Sequence, residues 1–305
     1  MKFSLTLTLK FIICVLSLVF LLYIGSCASA AASAEEYYSI GMAYFELGQF
    51  KEAEQWLLRA VTADRTRFAS EYNLGRIAFE TGRYSDASTH FENILTRDPD
   101  NILALKAAAY TRIRMGDLEI AESLYIRVLA LVPESSDDGY NYSLVLYALG
   151  KYSQSEEVLL TYPFALDDNP DSLLLLARAR AGQNKPEAID DFARWISIND
   201  TPNPKVHHEY ALALENAGFY ALALENFRSS LDLMPSNLHN LEQNQVQFDI
   251  ARLLFIADPG NPEGISALNL AISQGFDVDN ALQILSAEHR ISQIQMEEIR
   301  MVLIQ

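Results

Sequence analysis

The chain has 305 residues, of which half are apolar, and 40 acidic against 23 basic side chains give it a net charge of -17 at pH 7. Such an acidic surface repels the phosphates of DNA and RNA, so the composition argues against nucleic acid as a partner. The two cysteines, Cys14 and Cys27, both lie near the N-terminus, which excludes a disulfide framework or a thiolate metal site in the rest of the chain.

Residues 1–26 predict a secretory signal peptide. Lys2 and Lys10 precede an uncharged apolar run over residues 11–24, and a positive region followed by a short apolar region is typical of a signal. The run is shorter than the about 20 residues that a spanning helix needs. It ends in Ile-Gly-Ser-Cys at 24–27, which resembles the lipobox of bacterial lipoproteins. The resemblance implies cleavage before Cys27 and lipidation of that cysteine.

The lipobox interpretation makes residues 27–34 a short linker of small residues between the lipid and the folded body. Ala28 follows the cysteine, and the resemblance then favours the periplasmic face of the outer membrane. Two alternatives stay open. The Ala-x-Ala motifs at 28–30 and 32–34 are sites for ordinary signal peptidase, which would release a soluble periplasmic or secreted protein, and an uncleaved segment would be an anchor.

A glycine recurs through the chain at intervals of 34 residues, and internal repetition at such a period is typical of solenoid proteins. The glycines in register are Gly48, Gly82, Gly116, Gly150 and, two intervals later, Gly218. Gly182 falls two residues short of the register, so a fifth unit is expected there with an altered turn. We expect each glycine to end a first helix in the left-handed conformation.

Small and large residues keep the same period around these glycines. Small residues are expected where two helices cross, as at Gly41, Gly75 and Ala87, and Pro99, Pro133 and Pro235 are expected to end second helices. Together with the period of 34, this pattern resembles the tetratricopeptide repeat (TPR). The resemblance implies an all-α, right-handed superhelical solenoid of about seven helix pairs with a helical C-terminal cap.

The repeats define the predicted domain organisation. The TPR array is expected over residues 35–256, ending in a long helix. A turn signal, Ala-Asp-Pro-Gly-Asn-Pro-Glu-Gly, begins at residue 257. Residues 257–305 are then expected to complete a divergent last repeat and to form the cap that covers the final apolar face.

No motif for catalysis, cofactor binding or metal binding is found. The adjacent residues His207, His208 and Glu209 lack the spacing that places metal ligands on one helical face. Glycine-rich phosphate loops and nucleophile motifs are absent from the sequence. We therefore expect a protein that is not an enzyme and that needs no cofactor.

The resemblance also implies a concave groove lined by positions of each first helix. The positions that match are Tyr38, Met42, Phe45, Tyr72, Arg76, Phe79, Lys106, Tyr110, Ile113, Tyr140, Leu144 and Tyr147. Many are aromatic, and aromatic side chains are enriched in binding hot spots. The alternative is that these rings fill contacts between neighbouring first helices.

One TPR groove type grips the C-terminal carboxylate of a partner with lysine, asparagine and arginine side chains. Asn73 and Lys106 match that pattern here, whereas Tyr38, Met42 and Tyr110 replace its other residues. A carboxylate clamp is therefore not expected.

These features predict a scaffold or assembly factor of the bacterial cell envelope that binds a segment of another envelope protein in the groove. The chain would reach the membrane through its N-terminal lipid. The alternative function is a periplasmic module that binds a hydrophobic small ligand or serves transport.

Overall fold

The computed structural model of the chain describes residues 34–64, 68–162, 169–234, 241–258, 260–288 and 291–303. Throughout these ranges the regular secondary structure is helical. The signal peptide, the lipobox with Cys27, and Pro235 lie outside the described residues. The helices are α1 (34–46), α2 (Phe50–Ala63), α3 (Phe68–Glu80), α4 (Tyr84–Arg97), α5 (Ile102–Met115), α6 (Leu118–Leu131), α7 (Ser136–Ala148), α8 (Tyr152–Thr161), α9 (Pro170–Gly182), α10 (Glu187–Ile198), α11 (Pro204–Asn216), α12 (Tyr220–Leu233), α13 (Leu241–Ala257), α14 (Pro262–Ser273), α15 (Val278–Ala287) and α16 (Gln293–Leu303).

The helices pack in consecutive antiparallel pairs, which confirms the predicted all-α repeat fold. The predicted stops of two second helices are also confirmed. α4 ends at Arg97, before Pro99, and α6 ends at Leu131, before Pro133. The last helix, α16, contacts α14 and contributes Met296 and Ile299 to the core there.

Two compact units divide the chain, Met1–Val145 and Leu146–Gln305. In the first unit, Ala53, Leu57, Leu74 and Ile77 form a buried cluster between the first and second helix pairs. In the second unit, a larger core includes four buried phenylalanines, Phe192, Phe227, Phe248 and Phe255, and the half-buried Phe276 packs against it. The boundary between the units falls within α7.

Asparagine caps start several of the helices. The side chain of Asn101 accepts a hydrogen bond from the backbone N–H of Ala104 at the start of α5. Asn169 and Asn203 cap α9 and α11 in the same way, each followed by a proline whose fixed φ suits the first helical position. The sequence therefore encodes these helix starts locally.

The turn inside each of the first six pairs has the same backbone geometry. Its residue with positive φ lies at Gly48, Gly82, Gly116, Gly150, Asn184 and Gly218, so the period of 34 holds without a break. The expectation that Gly182 marks a displaced turn was wrong. Gly182 is the last residue of α9, and its Cα faces Tyr152, whose Cδ2 would lie 2.7 Å from an added Cβ.

Small residues let the paired helices approach closely, as predicted. A Cβ added to Gly41 would lie 2.8 Å from Cγ of Leu57, and one added to Gly75 would lie 2.6 Å from Cε1 of Phe91. Ala87 is fully buried on α4. These close contacts fix how the first helix of each pair lies against the second, and so which side chains it leaves on its outer side.

Candidate partner-binding surface

The residues predicted to line a groove in the first unit lie on α1, α3, α5 and α7, and we call this surface the first-helix face. Its members are Tyr38, Met42, Phe45, Tyr72, Arg76, Phe79, Lys106, Tyr110, Ile113, Tyr140 and Leu144. The remaining predicted residue, Tyr147, belongs to the second unit.

Several aromatic rings of the predicted set contact another ring across the turn of their own helix pair. Each pairs with an aromatic residue five positions later, at the start of the second helix. The ring centroids are 5.5 Å apart for Phe45 and Phe50, 5.3 Å for Phe79 and Tyr84, and 5.4 Å for Tyr147 and Tyr152. Tyr72 pairs instead with the buried Phe91, at 5.6 Å. Part of the aromatic pattern therefore serves packing within the repeats.

Other contacts join neighbouring first helices into one continuous face. Asn73 on α3 donates a 3.4 Å hydrogen bond to the Tyr38 hydroxyl on α1. The Arg76 guanidinium lies 4.6 Å from the centre of the Phe45 ring. Farther along, the rings of Phe79 and Tyr110 are 5.2 Å apart and link α3 with α5.

Large apolar side chains remain exposed on the same helices. Tyr110 is 49% exposed, Leu144 is 38% exposed, and Leu103 on α5 is 63% exposed. Leu103 was not among the predicted residues, although it lies seven positions before Tyr110, two helical turns along α5. That spacing is the signal that identifies it from the sequence.

Arg114 is a second residue of this surface that the sequence prediction missed. It lies four positions after Tyr110, hence one turn farther along α5. Its guanidinium lies 5.7 Å from the centre of the Phe79 ring and 5.0 Å from that of Tyr84. One of its nitrogens donates a 2.5 Å hydrogen bond to the Tyr84 hydroxyl.

The side chains that matched a carboxylate clamp are engaged within the fold. Lys106 forms a 2.5 Å ion pair with Asp138, a buried carboxylate on α7. Asn73 is itself buried and bonds to Tyr38, to the carbonyl of Ala69 and to Arg76. Both side chains are therefore already engaged, and neither is free to bind a terminal carboxylate.

The equivalent region of the second unit differs in chemistry, because its charged side chains pair with one another. Arg178 bonds to Glu209 at 2.8 Å, and His208 bonds to Asp249 at 2.9 Å. Arg252 makes two hydrogen bonds to the buried Glu215. Burial, with a smaller contribution from Glu209, raises the pKa of Tyr147 above its usual value. Arg178, His208 and Arg252 of the second unit are thus all engaged with carboxylates.

The described residues contain no group of three or more His, Asp or Glu side chains placed to hold a metal ion. Within the same ranges, every helix is too short or too polar to cross a bilayer.

Comparison with protein-family models identifies the repeat. Residues 34–67 and 72–101 match the model of the tetratricopeptide repeat. Those segments cover most of the first two helix pairs of the first unit.

Comparisons with individual proteins agree. An "uncharacterized lipoprotein" of Treponema pallidum (strain Nichols) is 26% identical over 185 residues, which cover 59% of this chain and 93% of that protein. The crystal structure of a tetratricopeptide repeat protein from Parabacteroides merdae ATCC 43184 aligns with a TM-score of 0.56 at 18% identity, over 84% of this chain and 98% of that one. YrrB, described as a TPR protein with an unusual peptide-binding site, aligns with a TM-score of 0.51 at 16% identity, over 64% and 96% of the two chains. Residues 34–67 and 72–101 thus belong to tetratricopeptide repeats, and over most of its length the chain has the helix-pair fold of a solved tetratricopeptide repeat protein.

Proposed function

We propose that this chain is a scaffold or assembly factor of the bacterial cell envelope, and that its first-helix face binds a segment of another envelope protein. TPR folds support protein–protein interaction in general. The observation that carries the proposal is the exposed apolar surface of Leu103, Tyr110 and Leu144 on that face.

The energetics of these side chains favour a binding role. Burying apolar surface is worth about 25 cal/mol per Å², and a half-exposed tyrosine leaves much of that gain for a partner to realise. The Tyr110 ring is already held against Phe79, so little side-chain entropy remains to be lost on binding. An extended segment or an amphipathic helix suits a face of this kind.

The proposed location rests on the N-terminal sequence and on the relative described as a lipoprotein. A lipid on Cys27 would tether the body at a membrane, and the net charge of -17 would keep that body off anionic headgroups. Mass spectrometry of the mature N-terminus tests this. A diacylated or triacylated peptide beginning at Cys27 is expected, and Cys27→Ala should move the protein into the soluble fraction. An unmodified chain beginning at Ala31 or Glu35 would contradict the proposal.

Two cavities among the described residues do not favour the hydrophobic-ligand alternative. A cavity of about 110 Å³ beside Asn184 and Ala213 is smaller than the roughly 300–1,000 Å³ of ligand pockets. A cavity of about 530 Å³ at α16 is large enough, but Gln293, Glu297 and Arg300 contribute to its lining, whereas apolar ligands take mainly apolar pockets.

The binding face is tested by affinity capture from detergent-solubilised membranes of the source organism. The variant is Leu103→Ala with Tyr110→Ala, and the control is Ile120→Ala with Ile126→Ala, exposed residues on α6, the second helix of the same pair. We expect the first variant to weaken capture of the partner by about 2 kcal/mol or more. The control should capture as the wild type does. Equal loss in both variants, or loss in neither, would contradict the proposal, provided that melting curves show both folded.

A further inference from the structure

Arg76 is held in place on the first-helix face by an aromatic ring and an amide oxygen. Within the described residues, no Asp or Glu lies within 4.0 Å of its guanidinium. Its contacts are the Phe45 ring at 4.6 Å and the side-chain oxygen of Asn73 at 3.1 Å. Glu80 lies four residues later on α3 and is exposed, a spacing at which opposite charges often pair. Arg76 forms no ion pair with Glu80 and is held on the aromatic surface by Phe45 and Asn73.

Arg114 is held in the same manner on the next first helix. It stacks on Phe79 and Tyr84 and bonds to the Tyr84 hydroxyl. The acid nearest in sequence, Asp117, is already paired with Arg112 at 2.7 Å. Among the described residues, therefore, no carboxylate lies within 4.0 Å of the Arg114 guanidinium.

Several arginines of this strongly acidic chain pair with acids. Arg83 pairs with Glu54, Arg180 with Glu156 and Asp191, and Arg228 with Glu263. Arg76 and Arg114, stacked on neighbouring first helices without a described carboxylate within 4.0 Å, instead form a local positive site. Their planar guanidiniums keep hydrogen-bond donors that stacking does not consume.

We infer that the partner segment is acidic, and that carboxylates along its length bind Arg76 and Arg114 while its apolar side chains pack on Tyr110 and Leu103. This inference rests on the proposed function and specifies the chemistry of the partner. Stacking pre-organises both guanidiniums, so each can form a charge-assisted hydrogen bond with little further ordering.

The carboxylates belong to acidic side chains of the segment and not to a chain terminus. The residues that matched a terminal clamp, Asn73 and Lys106, are engaged with Tyr38, Arg76 and Asp138 inside the fold. Binding should therefore be indifferent to whether the segment ends in a free or an amidated carboxyl group.

The test selects from a displayed library of random 12-residue peptides flanked at both ends by fixed linkers, so that no terminus is free. The wild-type protein, Arg76→Gln with Arg114→Gln, and a control, Arg59→Gln, are compared. Arg59 stacks on Trp56 at 4.5 Å on α2, a second helix, so the control also removes a stacked arginine. An enriched peptide is then measured by fluorescence polarisation beside its Asn/Gln analogue and in free and amidated forms.

We expect the wild type and the control to enrich peptides that combine Asp or Glu with apolar residues, and the double variant to lose the acidic preference. Replacing the acids by amides should weaken binding to the wild type about tenfold or more, and amidation should change nothing. Enrichment of uncharged or basic peptides, or no enrichment, would overturn the inference. The proposed function would still stand if membrane capture depends on Leu103 and Tyr110, and it fails separately if that capture fails.

Discussion

Asn184 adopts the left-handed backbone conformation that Gly150 adopts 34 residues earlier, with φ of 56° against 72°. Both residues end a first helix with the same two backbone hydrogen bonds. The N–H of Asn184 donates to the carbonyl of Ala181 and that of Lys185 donates to Arg180, the pair of bonds that closes a helix C-terminus. An asparagine thus keeps the repeat in register where the glycine is missing.

Substitution of Asn184 tests this role. Alanine tolerates the left-handed region poorly, so Asn184→Ala should lower the free energy of unfolding by about 1–2 kcal/mol, whereas Asn184→Gly should be neutral or slightly stabilising. Asn216→Ala, at the exposed last residue of α11, is the matched control and should have little effect. Denaturant melts measure all three. Equal effects of the two alanine substitutions would contradict the assigned turn.

Gly75→Ala should destabilise the second helix pair, because the added Cβ would lie 2.6 Å from Cε1 of the buried Phe91 ring. Overpacking of this kind costs about 1–3 kcal/mol. Phe91→Leu removes the ring atoms concerned, so the double variant should lose less stability than the two single losses added together. Strict additivity in thermal melts would show that the two residues do not meet.

Ala87→Leu should also overpack a helix crossing, since Ala87 is fully buried between α3 and α4. The expected loss of unfolding free energy is about 1–3 kcal/mol. Ala130→Leu places the same side chain at an exposed position of α6 and should change stability by less than about 0.5 kcal/mol. If the two substitutions cost the same in denaturant melts, the repeat register is wrong.

Glu71 makes stability depend on acid pH. The hydrogen bond from His90, at 2.9 Å, and one from Asn93 outweigh burial and hold the pKa of this carboxyl below its ordinary value of 4.5. Its stabilising contribution is therefore complete above pH 4.5 and is lost as the pH falls through the lowered pKa of the folded state. The difference in unfolding free energy between the wild type and Glu71→Gln should shrink below pH 4.5. A difference that stays constant down to pH 2.5 would contradict this assignment.

The repeat fold was predictable because its determinants are local and periodic. Gly48 and Gly82 mark turns, and Gly75 and Ala87 mark crossings, each recognisable from residue type and spacing alone. Asn184 was missed because asparagine occurs in many conformations, and only the backbone shows which one it adopts.

The chemistry of the first-helix face was less predictable, because it depends on partners from other repeats. Lys106 looks like an open cation in the sequence, yet Asp138 neutralises it. Arg114 looks like an ordinary surface residue until its contacts with Phe79 and Tyr84 are known. In both cases the chemistry of the side chain depends on a contact with a residue some 30 positions away in the sequence, which the sequence pattern does not show.

We propose that the first-helix face of the first unit contacts the partner, and site-specific photo-crosslinking in living cells tests this contact. A benzophenone amino acid replaces Tyr110 in one strain and Ile126 in the other. Both positions are about half exposed, at 49% and 51%, and they lie on the first and second helices of one pair. We expect a discrete crosslinked band of one envelope protein from position 110 and none from position 126. The same band from position 126 alone, or from both positions equally, would contradict it.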